Sequence, residues 1–459
     1  MSLIPSAHAE APGAWTPTTN YLFSAEGTSC AISGDVMFCV GGLDLNIDSV
    51  VDNVYYATVG SSGIGGWTAT TNYPFTAGVD LTTCVTSDGY IYCIGGFSQG
   101  VVTADVDYAE LSGSGIVNGW RSTTSYPIPV EGASCVVSGG YITCVGGTMI
   151  GPTGIVSNVY SAPLENPGIG TWTETTDYAC TSACGTSGVT GIPTELQACV
   201  VTGTTQAYVT CMGGEESVGD GDYPQVGTTY YSTLTNGAVG STWTQTTSYP
   251  ATSVSGAGEC VATGGYMYCV AGGDGANSEH DYTYFSQVSN GALGAWTLAS
   301  DYGQAVSTEQ CVVYSGDIFC ATGNTIYLVS PGTPATSYYS AVSGSSTTSS
   351  STTTSSSTTT TSSSSSSTTT SSSSTTSSSS TANVCPSTSG GVLMPPGSMF
   401  IDQSGNAWVT PIGSGSGGVA HSYFFAGPEA NVPPPMLQGW AGVYGTYGGQ
   451  QGWIITFYC

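Results

Sequence analysis

The side chains best suited to chemistry lie in one acidic stretch of the chain. Glu215 and Glu216 follow a Gly-Gly pair, and Asp220, Asp222 and Tyr223 come soon after them. Clustered carboxylate oxygens are the ligands that calcium prefers. Two carboxyl groups in different protonation states are what most glycosidases use. The stretch is therefore a candidate for a calcium site or for acid-active glycan chemistry, and a solvated surface loop is the alternative.

Other catalytic groups are scarce. The three histidines lie in different regions, and His280 falls in a polar stretch that predicts a solvated loop. Arg121 is the only arginine and there is no lysine, which excludes a P-loop lysine, a Schiff base and an arginine clamp on a carboxylate. Arg121 follows a repeated tryptophan, where most repeats have threonine, and is predicted to be an exposed structural residue on an outer strand. We predict no catalytic residue and no cofactor other than possible calcium.

The charge balance excludes several classes of partner. The chain of 459 residues has 29 Asp and Glu against one Lys or Arg, a formal net charge of -28, and only 7% charged residues. Without a basic patch it cannot bind a nucleic-acid backbone or dock on anionic lipid. Most Asp and Glu are protonated below about pH 3. A surface with few ionisable groups therefore favours an extracellular protein of an acidophile, with an ordinary secreted protein of low charge as the alternative.

The acidic stretch, His280 and Arg121 all lie within a repeat of about fifty residues. Each unit has a tryptophan motif ending in tyrosine, a cysteine pair followed by glycine, and a tyrosine-bearing segment. Because the cysteine pair predicts a hairpin of two strands, each repeat is predicted to form four short strands. Radial repetition of four-stranded sheets is a propeller. The motif begins at Trp15, Trp67, Trp120, Trp172, Trp243 and Trp296.

The cysteine spacing predicts one disulfide in each repeat. In five repeats the cysteines are nine apart, with a two-residue turn such as Gly34-Asp35 midway between them. This register makes them a non-hydrogen-bonded pair with Cα atoms about 4.5 Å apart, which a disulfide can bridge. Sixteen cysteines also indicate an oxidising compartment. The eight predicted disulfides are Cys30–Cys39, Cys84–Cys93, Cys135–Cys144, Cys180–Cys184, Cys199–Cys211, Cys260–Cys269, Cys311–Cys320 and Cys385–Cys459.

The repeat resembles the kelch-repeat β-propeller family, whose units show a hydrophobic strand ending in Gly-Gly, then a tyrosine, then a tryptophan. The resemblance covers residues 13–342 and implies a six-bladed propeller, but it implies little about function. The sixth repeat lacks its tryptophan strand, while the chain begins with an extra one. We therefore expect the N-terminal strand, residues 13–21, to complete the last blade, which would leave no exposed edge.

The rest of the chain predicts a stalk and a second small domain. Residues 1–12 form an N-terminal segment, and residues 343–383 form a linker. Ser345 to Thr381 is an unbroken Ser/Thr run, which predicts an O-glycosylated stalk, with a naked tether as the alternative. Residues 384–459 alternate apolar and polar positions and predict a β domain closed by the last disulfide. No apolar run approaches the ~20 residues of a membrane span.

These features favour a noncatalytic extracellular or cell-surface protein of all-β class. Its role would be adhesion, surface-layer association or assembly into an extracellular filament. Its partners would be further copies of itself, or other cell-surface proteins and glycans. The alternative is an acid-active propeller that binds or hydrolyses glycans through the carboxylates of the fourth repeat.

Overall fold

A computed structural model gives the architecture of the chain. It describes residues 11–149, 154–181, 191–203, 205–217, 225–250, 259–273, 279–324 and 336–342, and then 392–394, 399–402, 407–409, 420–428, 442–447 and 449–458. The chain divides into two compact units, Met1–Ser349 and Ser350–Cys459. Strands are the only regular secondary structure in the described ranges. No helix suitable for crossing a membrane is found there.

Six sheets in the first unit repeat one design, and sheets 1 to 6 correspond to the six cysteine repeats. In each sheet a hairpin forms the first and second strands, and a third strand pairs with the second. These strands are, for sheet 1, Ser29–Ser33, Val36–Val40 and Val54–Gly60; for sheet 2, Thr83–Ser87, Tyr90–Ile94 and Val106–Ser112; for sheet 3, Ser134–Ser138, Tyr141–Val145 and Val159–Pro163; for sheet 4, Ala198–Thr202, Ala207–Met212 and Thr229–Thr235; for sheet 5, Glu259–Thr263, Tyr266–Gly273 and Glu279–Ser289; and for sheet 6, Ser307–Tyr314, Asp317–Asn324 and Tyr338–Ser340.

Shorter strands complete the sheets and connect them. The outer strands of sheets 1 to 5 are Gly63–Ile64 with Thr68–Ala69, Gly115–Ser122, Thr173–Glu174, Ala238–Val239 with Thr244–Gln245, and Ala292–Leu298. The connecting pairs are Ala25–Glu26 with Leu43–Asp44 and Ser49–Val50, Phe97–Ser98 with Val101–Val102, and Thr194–Glu195 with Glu215–Glu216.

A disulfide lies in the hairpin of each of the six sheets. The two cysteines are direct cross-strand partners, as in Cys84 opposite Cys93, and their Cα atoms are 4.0 to 4.2 Å apart. These are six of the eight predicted disulfides. Cys180 is also disulfide-bonded, but its predicted partner, Cys184, lies outside the described residues. Both cysteines of the predicted Cys385–Cys459 pair lie outside them as well.

The six sheets form a closed ring. Each first strand lies beside the first strand of the next sheet, and the one in sheet 6 lies beside the one in sheet 1. The N-terminal strand Thr16–Pro17 pairs with Tyr338–Ser340 and becomes the outer strand of sheet 6. Gly13 N–H extends this pairing by donating to the Ala341 carbonyl oxygen (2.9 Å). This is the closure predicted from the extra tryptophan strand.

The tryptophan motif holds neighbouring sheets together. Each tryptophan packs edge-on against the tyrosine that ends the preceding motif, an arrangement that aromatic quadrupoles favour. The first residue of the Thr-Thr pair in the motif bonds the next sheet, as when Thr70 Oγ1 accepts a hydrogen bond from Ile116 N–H (2.9 Å). The ring centroids are 4.9 Å apart in Trp15–Tyr302, Trp67–Tyr21, Trp120–Tyr73, Trp172–Tyr126 and Trp243–Tyr178, and 5.2 Å apart in Trp296–Tyr249.

The Gly-Gly pair allows the chain to pass close to the next repeat. Gly42 N–H donates to the Val79 carbonyl oxygen (2.8 Å), just before the first strand of sheet 2. A Cβ at Gly42 would lie 2.8 Å from the Glu26 carbonyl oxygen. A side chain at Gly42 would therefore push the backbone at Gly42 away from the backbone at Glu26.

The second unit contains one sheet. Its strand order is Val392–Met394, Ala420–Ala426, Gln450–Tyr458, Val443–Tyr447, Met399–Asp402 and Ala407–Val409. Phe424 and Ile454 are buried on this sheet, as are Tyr423, Phe425 and Ile455. The Ser345 to Thr381 tract lies outside the described residues.

Candidate functional site

The acidic stretch of the fourth repeat is described only at its start. Glu215–Glu216 forms a strand paired with Thr194–Glu195, and Thr228 Oγ1 donates a hydrogen bond to Glu216 Oε1 (2.9 Å). Glu215 lies directly opposite Glu195 in this pair. The first acidic residue of the stretch therefore lies beside Glu195, which belongs to a different segment of the chain.

The other half of that predicted site is not described. Asp220 and Asp222 lie outside the described ranges. Within those ranges, no group of three or more Asp, Glu, His or Cys side chains is arranged to hold a metal ion. Calcium binding by this stretch stays a prediction.

A second set of acidic residues recurs with the repeat. In four repeats an acidic residue stands four positions before the first cysteine, namely Glu26, Asp80, Glu131 and Glu195. The signal was present in the sequence, but reasoning from carboxylates close together along the chain missed it. The repeat brings together residues that are about fifty positions apart.

These four residues lie where the chain leads into a first strand. The segment pairs with the residues that leave the second strand of the same sheet. In sheet 2, Asp80 N–H donates to the Phe97 carbonyl oxygen (2.9 Å), and Phe97 N–H donates back to Asp80 (2.7 Å). Glu131 and Thr148 make the same two bonds in sheet 3 (3.0 and 2.8 Å). All four acidic residues are therefore at one end of the ring of sheets.

A chain of backbone hydrogen bonds runs beside these carboxyl groups. The residue after each acid has a left-handed backbone, with φ of +62° at Gly27, +52° at Leu81, +60° at Gly132 and +55° at Leu196. Leu81 N–H donates to the Gly27 carbonyl (3.0 Å), Gly132 N–H to that of Leu81 (3.0 Å), and Leu196 N–H to that of Gly132 (2.9 Å). Left-handed leucines cost about 1 kcal/mol or more each, and such strain clusters at functional sites.

Gly27 shows how tightly the acids pack. A Cβ at Gly27 would lie 1.8 Å from Asp80 Oδ1. The Asp80 carboxyl group therefore rests on the backbone of the neighbouring repeat. Its Oδ1 atom also accepts Leu81 N–H (2.9 Å).

Burial raises the pKa of all four carboxyl groups. The pKa of Asp80 rises to about 6, mainly from burial and with a smaller contribution from Glu26. That of Glu131 rises to about 7, from burial and then from the charges of Glu195 and Asp80. Burial also raises the pKa of Glu195, against the effect of a hydrogen bond from Thr148, and that of Glu26, against one from Asn324.

Sheets 5 and 6 contribute three further carboxyl groups at the same end. Glu309 is buried at 1% exposure, and its Oε1 accepts Glu259 N–H (3.4 Å). Glu279 pairs with Gly273 and accepts a bond from Ser307 Oγ (3.4 Å). Burial raises the pKa of Glu259 to about 8. The pKa of Glu309 lies well above its usual range because of burial and then the charges of Glu259 and Glu279.

We call these groups the acidic ring: Glu26, Asp80, Glu131, Glu195, Glu259, Glu279 and Glu309. Arg121 is the only arginine and lies on the outer strand of sheet 2, the chain has no lysine, and the one ionisable base beside the ring in sequence is His280. Burial disfavours the ionised form of a carboxyl group and so favours the protonated one. Six carboxyl groups of the ring, all except that of Glu279, therefore bind protons at a higher pH than exposed carboxyl groups do.

His280 and Arg121 both lie on strands of the first unit. The loop predicted for His280 was wrong, because the second and third strands of sheet 5 continue past their usual ends. His280 pairs with Gly272 and stacks on Tyr282, with ring centroids 5.1 Å apart. Arg121 is exposed on the outer strand Gly115–Ser122, as predicted.

Comparison with known proteins shows the fold alone. No protein-family model matches the chain, and no curated protein is similar to it in sequence. One similar solved structure is entitled "Structure of YjhT", with a TM-score of 0.52 and 14% identity over 69% of this chain and 95% of that one. The similarity makes the fold propeller-like. Together with the disulfides, this points to an extracellular protein.

Proposed function

We propose that this chain is a noncatalytic cell-surface protein that works in acid. Its first unit would be a six-bladed, kelch-like β-propeller, joined to the second unit by a glycosylated Ser/Thr stalk. The acidic ring is the observation that carries the proposal. Burial raises the pKa of six of its carboxyl groups, those of Glu26, Asp80, Glu131, Glu195, Glu259 and Glu309, so the ring suits a medium in which they stay protonated.

The layout supports a role in display or assembly. Six hairpin disulfides and the aromatic contacts between sheets do not depend on charge, so they persist when carboxylates are protonated. A first unit that keeps its fold in acid suits adhesion, surface-layer association and filament formation. The partners would be further copies of the chain, or other cell-surface proteins and glycans.

Electron microscopy of native cell-surface material in its own acid medium tests this proposal. We expect antibody against the first unit to label the cell surface or a polymer. Isolated soluble monomers in the medium would contradict it. So would cooperative unfolding of the purified chain above pH 3, because a protein of acid environments must keep its fold there.

The second candidate is an acid-active glycan hydrolase. Glu131 and Glu195 favour it, because they are neighbours in the ring and the pKa of Glu131 rises to about 7. A protonated carboxyl beside a second carboxyl is the combination that glycoside hydrolysis uses.

A hydrolysis screen of glycans at pH 2 to 4 separates the two candidates. We expect no turnover by the native chain. Turnover abolished by Glu131→Gln, or by Glu215→Gln or Asp222→Asn in the fourth repeat, would overturn the noncatalytic proposal. Glu165→Gln is the matched control, since Glu165 is exposed and lies outside the ring.

A further inference from the structure

Arg121 lies in a surface cleft that is distinct from the acidic ring. The cleft is shallow and open to solvent, and it encloses only about 40 Å³. Tyr90 and Tyr108 from the inner strands of sheet 2 line it, with Glu110 and Asn118 beside them and Pro167 from the neighbouring repeat. It thus combines aromatic surface, hydrogen-bonding groups and the only arginine of the chain.

Arg121 breaks an otherwise regular row of side chains. Tyr92 pairs with Tyr108, and Tyr108 pairs with Arg121, so the three share one face of sheet 2. The Tyr92 and Tyr108 rings stack with centroids 6.0 Å apart. The residue equivalent to Arg121 is threonine in every other sheet: Thr16, Thr68, Thr173, Thr244 and Thr297.

A bulge beside Arg121 brings polar groups to the cleft. The pairing of the outer strand shifts between Ala109 and Glu110. Asn118 and Gly119 have left-handed backbones, with φ of +60° and +70°. Asn118 Nδ2 donates to Glu110 Oε2 (3.1 Å), which fixes an amide and a carboxylate next to the tyrosines.

We propose that this cleft binds a sugar that carries an anionic substituent. The exposed guanidinium of Arg121 offers paired donors to a sulfate or carboxylate. The tyrosines offer apolar surface for the face of the sugar ring, while Asn118 and Glu110 offer hydrogen bonds to its hydroxyl groups. The site goes beyond the proposed surface role, and it would exist whether or not the protein polymerises.

The two sources of negative charge differ in acid. A carboxylate on the sugar is protonated below about pH 3, whereas a sulfate ester remains ionised. Arg121 keeps its charge throughout. We therefore expect sulfated sugars to bind at both pH 5 and pH 2.5, and uronic acids to bind at pH 5 only.

Calorimetric titration of the full chain tests the site. The probes are sulfated and uronic mono- and disaccharides, their neutral counterparts, and sodium sulfate. The key variant is Arg121→Thr, which installs the residue that the other five sheets carry and so preserves the fold. The matched control is Thr297→Ser at the equivalent position of sheet 5. We expect at least a tenfold loss of affinity for anionic sugars in the Arg121 variant and no change in the control.

A second variant separates sugar binding from simple ion binding. Tyr90→Val places in sheet 2 the residue that sheet 1 has at this point, Val36. It should weaken binding of sulfated sugars several-fold and leave the affinity for sodium sulfate unchanged. The proposal is overturned if no anionic sugar binds, if neutral sugars bind equally well, or if Arg121→Thr binds like the native chain. It is also overturned if Arg121→Thr changes only the self-association seen by light scattering, because Arg121 would then pair with a second copy.

Discussion

Replacing Glu259 with glutamine should stabilise the protein at neutral pH and leave its stability in acid unchanged. Glu259 precedes the first cysteine on the first strand of sheet 5, and sheet 6 has Gln310 at the same position. The carboxyl group of Glu259 accepts a hydrogen bond from Gln310 Nε2 (3.4 Å). Glutamine keeps the size of the side chain and removes only its ionisation.

The pKa of Glu259 sets the size of the effect. Burial raises it from 4.5 to about 8. Below pH 4.5 the group is protonated in both the folded and the unfolded chain, so it adds no pH dependence. Between pH 4.5 and about 8 only the unfolded chain ionises, so stability falls as pH rises, by about 1.36 kcal/mol per unit and about 5 kcal/mol at most. Because the residue is partly exposed, solvent screening should reduce this to about 2 to 3 kcal/mol.

Urea unfolding of the disulfide-intact chain at pH 8 and pH 4 measures the difference. The expected result is a gain in the free energy of unfolding for Glu259→Gln at pH 8 that disappears at pH 4. Glu165→Gln makes the same charge change at an exposed site and serves as the control. A substitution effect that is equal at both pH values would refute the reasoning. So would a native chain that loses stability between pH 8 and pH 4.

Three further substitutions test the packing. Gly27→Ala should lower the free energy of unfolding in urea by ~2 kcal/mol or more beyond the loss caused by Gly34→Ala. Both positions have φ near +60°, but only Gly27 lies against a neighbouring side chain. Equal losses would mean that the close approach at Gly27 is unimportant. Trp172→Ala should cost about 2 to 3 kcal/mol by removing one edge-on aromatic contact between sheets, and an unchanged melting temperature would show that this contact does not hold the ring. Cys84→Ala combined with Cys93→Ala should cost about 2 to 3 kcal/mol by calorimetry, and a loss as small as that of an exposed substitution would contradict a structural role.

The regular parts of the fold could be predicted because each rests on a local rule. The spacing of Cys84 and Cys93 around a two-residue turn makes them cross-strand partners. The unmatched tryptophan at Trp15 implies a partner at the far end of the chain, and its strand pairs with Tyr338–Ser340. In both cases the period of the repeat converts a position in sequence into a position in a sheet.

The acidic ring could not be found by the same reasoning. Four of its members recur four positions before a cysteine, but Glu259 and Glu309 stand one and two positions before theirs. Whether such residues lie close together depends on which end of the ring of sheets they occupy. It also depends on how closely the backbones of neighbouring repeats approach, as they do at Gly27. His280 was misplaced for a related reason, since the second strand of sheet 5 runs on through its Gly-Gly pair, whereas those of sheets 1 to 4 end just before theirs.

Salt provides a way to separate the ring from the charge of the whole chain. The net charge of -28 also opposes folding at neutral pH, and protonation in acid relieves both effects in the same direction. Long-range repulsion is screened at high ionic strength, with a Debye length of ~3 Å in 1 M salt, whereas the cost of ionising a buried group persists. We therefore expect 1 M sodium chloride to stabilise the native chain at pH 8 but to leave most of the advantage of Glu259→Gln. If salt removed that advantage, general repulsion rather than burial in the ring would explain the pH dependence.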